Sequence, residues 1–507
     1  MEESLNTKVQ KATVWSSITE IFAKLITPIV NMILARLLAP EAFGIVATIT
    51  MVISFAEIFT DAGFQKYIVQ REFDSQEELD RSTDVAFWTN FILSLIICVV
   101  IFIFRDTIAR WVGSPRLGNS ISIASLIIIV VAFSSIQMAR YKRDFNFKGL
   151  FFVRMITSFI PLLVTVPLAI ILRNYWALLL GTFASNIFNA IFLTWKSKWK
   201  PRFYYSFALF KKMFSFSAWT LLESISIWLT GNIGIFIVGA QLNEYYLGLY
   251  KTSMATVNSF MSIITAAITP VLFSALSRHQ NDEENFKKTY FSFQRLTSVF
   301  VIPMGIGVFI FSDLITKILL GNQWMEASGF IGWWGLTSVL TIILSHFSSE
   351  VYRSKGQPKI SLFSQLLHIV FLVPTLLISV KYGFKALYIS RSLIRIQMII
   401  AALIIMRVIY KFKFWDVVKN IYPMVISALI MGVVGYILCG VSSSFLWQIV
   451  AVMICIIVYF TVLLLLFPKI RREILDSTYV IKIKQKIFKE KAKVENNTTK
   501  PNTDMEN

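Results

Sequence analysis

Unbroken apolar runs of about 20 residues recur from near residue 12 to near residue 468, and they leave this chain few folds. One such run, used as a helix, crosses the roughly 30 Å hydrocarbon core of a bilayer. A membrane β-barrel would instead show alternating strands of about 10 residues. The composition agrees, with 56% of the 507 residues hydrophobic, 15% charged and a mean hydropathy of +0.66. Ordinary soluble domains carry roughly 25% charged residues. The chain therefore reads as an all-α polytopic membrane protein. Its start, MEESLNTKVQKATVW, has no basic leader region and no small-residue cleavage site, so the first span is expected to be retained. Cys98, Cys439 and Cys455 all fall inside apolar runs without metal-ligand spacing and read as buried apolar residues.

Charges and turns divide the runs into about 14 transmembrane helices, which puts both termini on one side. With that side cytoplasmic, about seven-tenths of the 49 Lys and Arg lie in cytoplasmic segments and about a sixth in outside loops. KSKWKPR (196–202) and RYKRDFNFK (140–148) are the strongest inside signals, whereas Arg105, Arg110 and Arg116 run against the pattern. The +20 formal charge thus reports membrane orientation, and no nucleic-acid partner is expected. After the last span, YVIKIKQKIFKEK (479–491) suits either an amphipathic helix on an anionic leaflet or a solvated basic tail. The polar end beyond it reads as disordered.

The chain also matches itself at an offset of about 204 residues. Trp15 falls on Trp219, Leu38 on Leu242 and Gly44 on Gly248, so ARLLAPEAFGIVA lies over GAQLNEYYLGLYK. Nearby offsets pair Tyr141-Lys142 with Tyr352-Arg353, and Ala177-Leu178 with Ala386-Leu387. A repeat of six helices enters the membrane twice in the same direction, giving two parallel six-helix bundles. The expected layout is a cytoplasmic N-terminus (1–11), an N-terminal lobe (12–210), a C-terminal lobe (211–411), two additional helices (412–468) and a basic tail (469–507). Two lobes flanking an axis make a V-shaped protein whose cavity opens to alternate sides by rocking.

Motifs for chemistry are missing from the sequence. There is no GxxxxGK[ST] phosphate loop, no HExxH pair, no nucleophile elbow and no clustered metal-ligand set. No catalytic residue, metal or cofactor is therefore assigned. His346 and His368 stand isolated within spans and read as satisfied packing residues.

Ionisable side chains at mid-bilayer cost roughly 2.5–3.5 kcal/mol even on the mildest scale, so each is a candidate for function. Arg391 and Arg395, one turn apart in the twelfth helix, suit a phosphate or pyrophosphate that guanidinium groups bind in a bidentate manner. Lys24 and Lys251 are further cavity cations. Glu20, four residues before Lys24, and Glu223, near the corresponding place in the second repeat, are candidates for proton or cation coupling. Glu57 is a third. Asp61, one turn beyond it, reads as a cap or pairing residue at the cytoplasmic end, while Arg154 and Arg295 are expected to snorkel to that surface.

ARLLAPEAFGIVA, FTDAGFQKYIVQRE (59–72), the WSS at 15–17 and the basic cluster before the seventh helix together resemble the polysaccharide transport family. These are lipopolysaccharide, teichuronic acid and colanic-acid type flippases of the multidrug/oligosaccharidyl-lipid/polysaccharide exporter superfamily. The resemblance extends to about residue 470 through the span plan. It implies alternating-access transfer of an undecaprenyl-pyrophosphate-linked oligosaccharide, an O-antigen or exopolysaccharide repeat unit, across a bacterial inner membrane. It also implies a cationic cavity, ion-gradient coupling as in several members, and work alongside membrane lipids, a polysaccharide polymerase and glycosyltransferases. The residue assignments above come from buried charge, because the family's sites are not fixed motifs. The competing readings are a multidrug cation antiporter of the same architecture, a membrane-embedded assembly enzyme and a scaffold for glycosyltransferases.

Overall fold

A computed structural model describes Trp15, Thr19 and residues 24–61 and 63–475, with the side chains of Asp61, 215–220, Leu222, Glu223 and a few others outside the description. Glu20 and the tail segment 479–491 lie outside the described residues. Every regular element among the described residues is helical. The long helices are α1 (24–37), α2 (Pro40–Asp61), α3 (Gln76–Ile103), α4 (Gly118–Arg143), α5 (Phe147–Leu172), α6 (Trp176–Lys196), α7 (Phe207–Gln241) and α8 (Glu244–Arg278). They continue as α9 (Glu283–Ile310), α10 (Asn322–Ser354), α11 (Pro358–Ser379), α12 (Gly383–Leu393 and Arg395–Val408), α13 (Phe414–Val441) and α14 (Phe445–Leu466).

Eleven of the described helices are long and apolar enough to cross a membrane, or 12 if the bent pair Glu244–Ala266 and Val271–Arg278 is one span. One of these runs, Lys359–Val408, has 50 residues. It turns at Val380–Tyr382, and Gly383, at φ 88°, lets α12 return along α11. The exterior is apolar, as a lipid-solvated surface requires: Ile171, Val408 and Leu446 are each more than 70% exposed.

Helix starts follow capping chemistry. Ser75, Asn146 and Asn243 accept from the backbone N–H of Glu78, Gly149 and Tyr246 at 3.1, 3.0 and 3.1 Å. Asp282 does the same for Asn285, at 3.1 Å, and also accepts from its side-chain amide at 2.6 Å. These two bonds hold the Asp282 carboxyl below the usual carboxylate range. Helices α3 and α9 begin about two turns before their apolar runs. Their first turns, QEELDRS and EENFKKTY, are hydrophilic; hydropathy marks where lipid begins, whereas the helix begins at its cap.

Arg295 is half-buried and lines a polar cleft with Glu284, Lys288, Asp416 and Lys419, a setting that fits the snorkelling expected of it, and it also joins a side-chain clamp. Its Nε donates to Asn420 Oδ1 of α13 at 2.9 Å, and Asn420 Nδ2 donates to the Phe291 carbonyl and Gln294 Oε1 at 2.8 and 3.0 Å. These bonds tie α13 to α9, and they give the buried Asn420 amide the partners it needs.

The two halves of the chain meet chiefly through α2 and α8, the most extensive helix pair described. At the end carrying the α1–α2 and α7–α8 turns, α2 and α8 come into backbone contact at Gly44 and Gly248. Carbonyls at the end of α1 and just beyond it are capped from the other half: Trp324 Nε1 donates to the Ala35 carbonyl at 2.7 Å and Gln323 Nε2 to that of Leu38 at 2.9 Å. At the opposite end the linker between α6 and α7 is fastened to α3. Asp84 accepts from the Arg202 N–H at 3.0 Å, Trp88 donates to the Arg202 carbonyl at 2.7 Å, and Phe203 stacks on Trp88.

Candidate functional site: a cationic pocket in the second half

Helix α12 is broken at Ile394, and Arg391 and Arg395 stand on either side of the break. Both guanidinium groups rest on one indole, that of Trp334 in α10, with ring-centroid distances of 4.9 and 4.0 Å. Such contacts are worth about 0.5–2 kcal/mol each. Hydrogen bonds fix the arrangement further. Arg391 Nε donates to the Tyr250 hydroxyl of α8 at 3.1 Å, and Arg395 donates to Ser338 Oγ of α10 at 2.7 Å. Trp334 Nε1 donates to Asn258 Oδ1 of α8 at 3.0 Å, so the platform under the arginines is itself pinned.

These groups line a pocket of about 370 Å³ bounded by α7, α8, α10, α11 and α12. Lys251 lines it too, with an exposed side chain. His368 contributes from α11, its Nδ1 3.1 Å from Gln397 Oε1 of α12. Arg391 is only 9% exposed. Among the described residues no carboxylate pairs with Arg391, Arg395 or Lys251. A buried guanidinium cannot escape by losing its proton, so three cations gathered in one cavity favour an anionic ligand.

Three of the sequence-predicted binding residues, Arg391, Arg395 and Lys251, therefore share one cavity. Lys24 lies elsewhere: its Nζ is 3.4 Å from the Ser262 carbonyl of α8, where α1 meets the second half. Glu57 is half-buried on α2, and its carboxylate has no hydrogen-bond or ion-pair partner among the described residues. One turn away, Trp228 of α7 donates to Ser54 Oγ at 3.0 Å and packs on Phe55. Glu223 lies on α7, with its side chain outside the description, as is that of Asp61. Sequence reasoning did not find Trp334, Tyr250, Asn258 or Ser338. Their only signal is composition, a tryptophan pair and hydroxyls within apolar runs, and it does not set them apart from packing residues.

Comparison with known proteins gives a consistent picture. The model of the family described as "Polysaccharide biosynthesis protein" matches residues 33–329. A Klebsiella pneumoniae protein described as an uncharacterized membrane protein in the cps region is 24% identical over 382 residues, 74% of this chain and 77% of its own. The succinoglycan biosynthesis transport protein ExoT of Rhizobium meliloti (strain 1021) is 24% identical over 324 residues, and this chain covers 64% of its length. Among solved structures, the lipid II flippase MurJ in an inward closed conformation superposes with a TM-score of 0.73 at 15% identity, over 91% of this chain and 100% of that one.

Proposed function

The chain belongs to the polysaccharide biosynthesis protein family and is a multi-pass membrane transporter, and from that premise we propose that it flips a lipid-linked oligosaccharide across the bacterial inner membrane. The observation that carries the substrate assignment is the pocket of Arg391, Arg395 and Lys251 without a described counter-charge. A pyrophosphate offers enough acceptor oxygens for two guanidinium forks and an ammonium at once. The lipid tail stays in the bilayer while the sugar and pyrophosphate move through the protein. A cationic drug would meet like charge in this pocket, which argues against the antiporter reading.

The full architecture we assign is 14 crossings in two parallel six-helix lobes (12–210 and 211–411), two further helices and cytoplasmic termini. Its support is the return of α12 along α11 and the meeting of Gly44 with Gly248, residues that the internal repeat aligns. In this orientation the Gly44–Gly248 contact closes the outer side. Glu57, with Glu20 and Glu223, is assigned to ion coupling: a carboxylate with no described partner in a half-buried site gains from binding a proton or a cation. Lys24 guides the substrate's phosphates at the junction of α1 and α8. A polymerase and glycosyltransferases are the expected neighbours in the pathway.

The test is transfer of an undecaprenyl-pyrophosphate oligosaccharide in proteoliposomes holding the full-length protein. Transfer is expected for the native protein and lost for Arg391→Ala combined with Arg395→Ala. Transfer at the native rate by the double variant would remove the pocket from the mechanism.

A further inference from the structure

The pocket poses an electrostatic problem for every moment at which no substrate fills it. Arg391 and Arg395 are one turn apart, both lie on Trp334, and no described carboxylate neutralises either. A guanidinium carries five N–H donors. Tyr250 takes one of those of Arg391 and Ser338 one of those of Arg395, which leaves most of the donors for whatever the cavity contains. Neither arginine can shed its charge by deprotonation, so neutrality has to come from an anion. At about 370 Å³ the cavity has room for a small hydrated anion, given the roughly 30 Å³ that one water occupies in the liquid. Lys251, exposed on the lining, adds a charge that attracts such an ion inward.

We propose that the substrate-free protein holds a small inorganic anion of the halide or phosphate class between Arg391, Arg395 and Lys251, and that the phosphates of the substrate displace it. The inference rests on the flippase reading for the identity of the displacing group and on the pocket alone for the resting anion. Loading is then an exchange: the incoming pyrophosphate takes over guanidinium donors already organised around an anion, and release outward is completed when an inorganic anion returns.

The experiment is a titration of the purified full-length protein in sodium gluconate at constant ionic strength, with chloride, bromide or inorganic phosphate replacing gluconate. The expected result is a saturable rise in the unfolding midpoint for at least one of these anions, with the tighter one identifying the class. Arg391→Gln with Arg395→Gln should weaken the apparent affinity at least tenfold, and Lys251→Met by a smaller factor. Inorganic pyrophosphate should compete with the bound anion. A midpoint indifferent to anion identity in the native protein overturns the proposal without reference to any variant, and so does an unchanged titration in the Gln variants. Oligosaccharide transfer is measured separately. Transfer that needs the arginines, beside an absent anion response, leaves the flippase reading and removes the resting anion. An anion response beside arginine-independent transfer supports the anion site and removes the pyrophosphate assignment.

Discussion

Gly44 on α2 and Gly248 on α8 each stand where a Cβ would overlap a carbonyl oxygen of the facing helix, that of Glu244 for Gly44 and that of Pro40 for Gly248. The relation is reciprocal, and the same spacing that aligns Gly44 with Gly248 aligns Pro40 with Glu244. Backbone can approach backbone this closely only where both residues lack a side chain. Gly44→Val is therefore expected to part the two helix ends and populate a state open on that side. Spin labels at the exposed Ala39 and Asn243 should report a longer inter-label distance in the variant than in the otherwise native protein. An unchanged distance distribution would show that the contact does not hold this end shut.

How much of this was legible beforehand depends on what hydropathy can report. It locates lipid contact, and so the apolar middles of α2, α4 and α14 were readable while the hydrophilic first turns of α3 and α9 were not. The cost of buried charge singled out Arg391, Arg395 and Lys251. Depth along a helix does not say which face a residue occupies or what faces it. That is why Lys24, grouped with those three in sequence, lies instead against Ser262. Trp334 was invisible for another reason, because an indole that carries two cations and one that fills a core have the same sequence signature in an apolar helix.

Trp334 acts as the positioning surface for both arginines, and its replacement separates ring face from indole N–H. Trp334→Leu removes two cation–π contacts of about 0.5–2 kcal/mol each, so binding of inorganic pyrophosphate should weaken roughly tenfold or more. Trp334→Phe keeps an aromatic face and loses only the bond to Asn258, and it should retain most of the affinity. Calorimetric titration of the purified protein distinguishes the two. Equal affinities for the Leu variant and the native protein would mean that the arginines are held without the ring.

Ala35 is fully buried, and its carbonyl depends on side chains from the start of α10. Gln323→Ala with Trp324→Phe leaves that oxygen without either donor while keeping an aromatic ring in place. The cost of such an orphaned acceptor is about 1–3 kcal/mol. Denaturation of the detergent-solubilised protein should show a loss of this size, whereas either single variant, with one donor left, should lose less than half of it.

The linker between α6 and α7 carries lysines at 198 and 200, just after Lys196 ends α6, yet it is tethered at Arg202 through both its backbone N–H and its carbonyl. Asp84→Ala removes the acceptor for the Arg202 N–H, and Trp88→Ala removes both the donor to its carbonyl and the stack on Phe203. The double variant should be nicked by trypsin between the two halves several-fold faster than the native protein in the same detergent. An unchanged cleavage rate would place the restraint on the linker elsewhere.

Asp282 supplies a pH dependence whose sign follows from its bonds. The backbone N–H and side-chain amide of Asn285 donate to the ionised carboxylate and lower its pKa in the folded state below the ordinary 3.8. A depressed carboxyl contributes stability that is present above the unfolded value and is lost as pH falls through the folded one. The first turn of α9 should therefore fray on acidification below about pH 4, while its apolar middle stays protected. Hydrogen exchange of the amides at 283–286, corrected for the intrinsic rate at each pH, reads this directly. Asp282→Asn caps the same N–H without titrating, so its protection should be flat across that range. Fraying of the Asn variant with the same pH profile would trace the effect to another group.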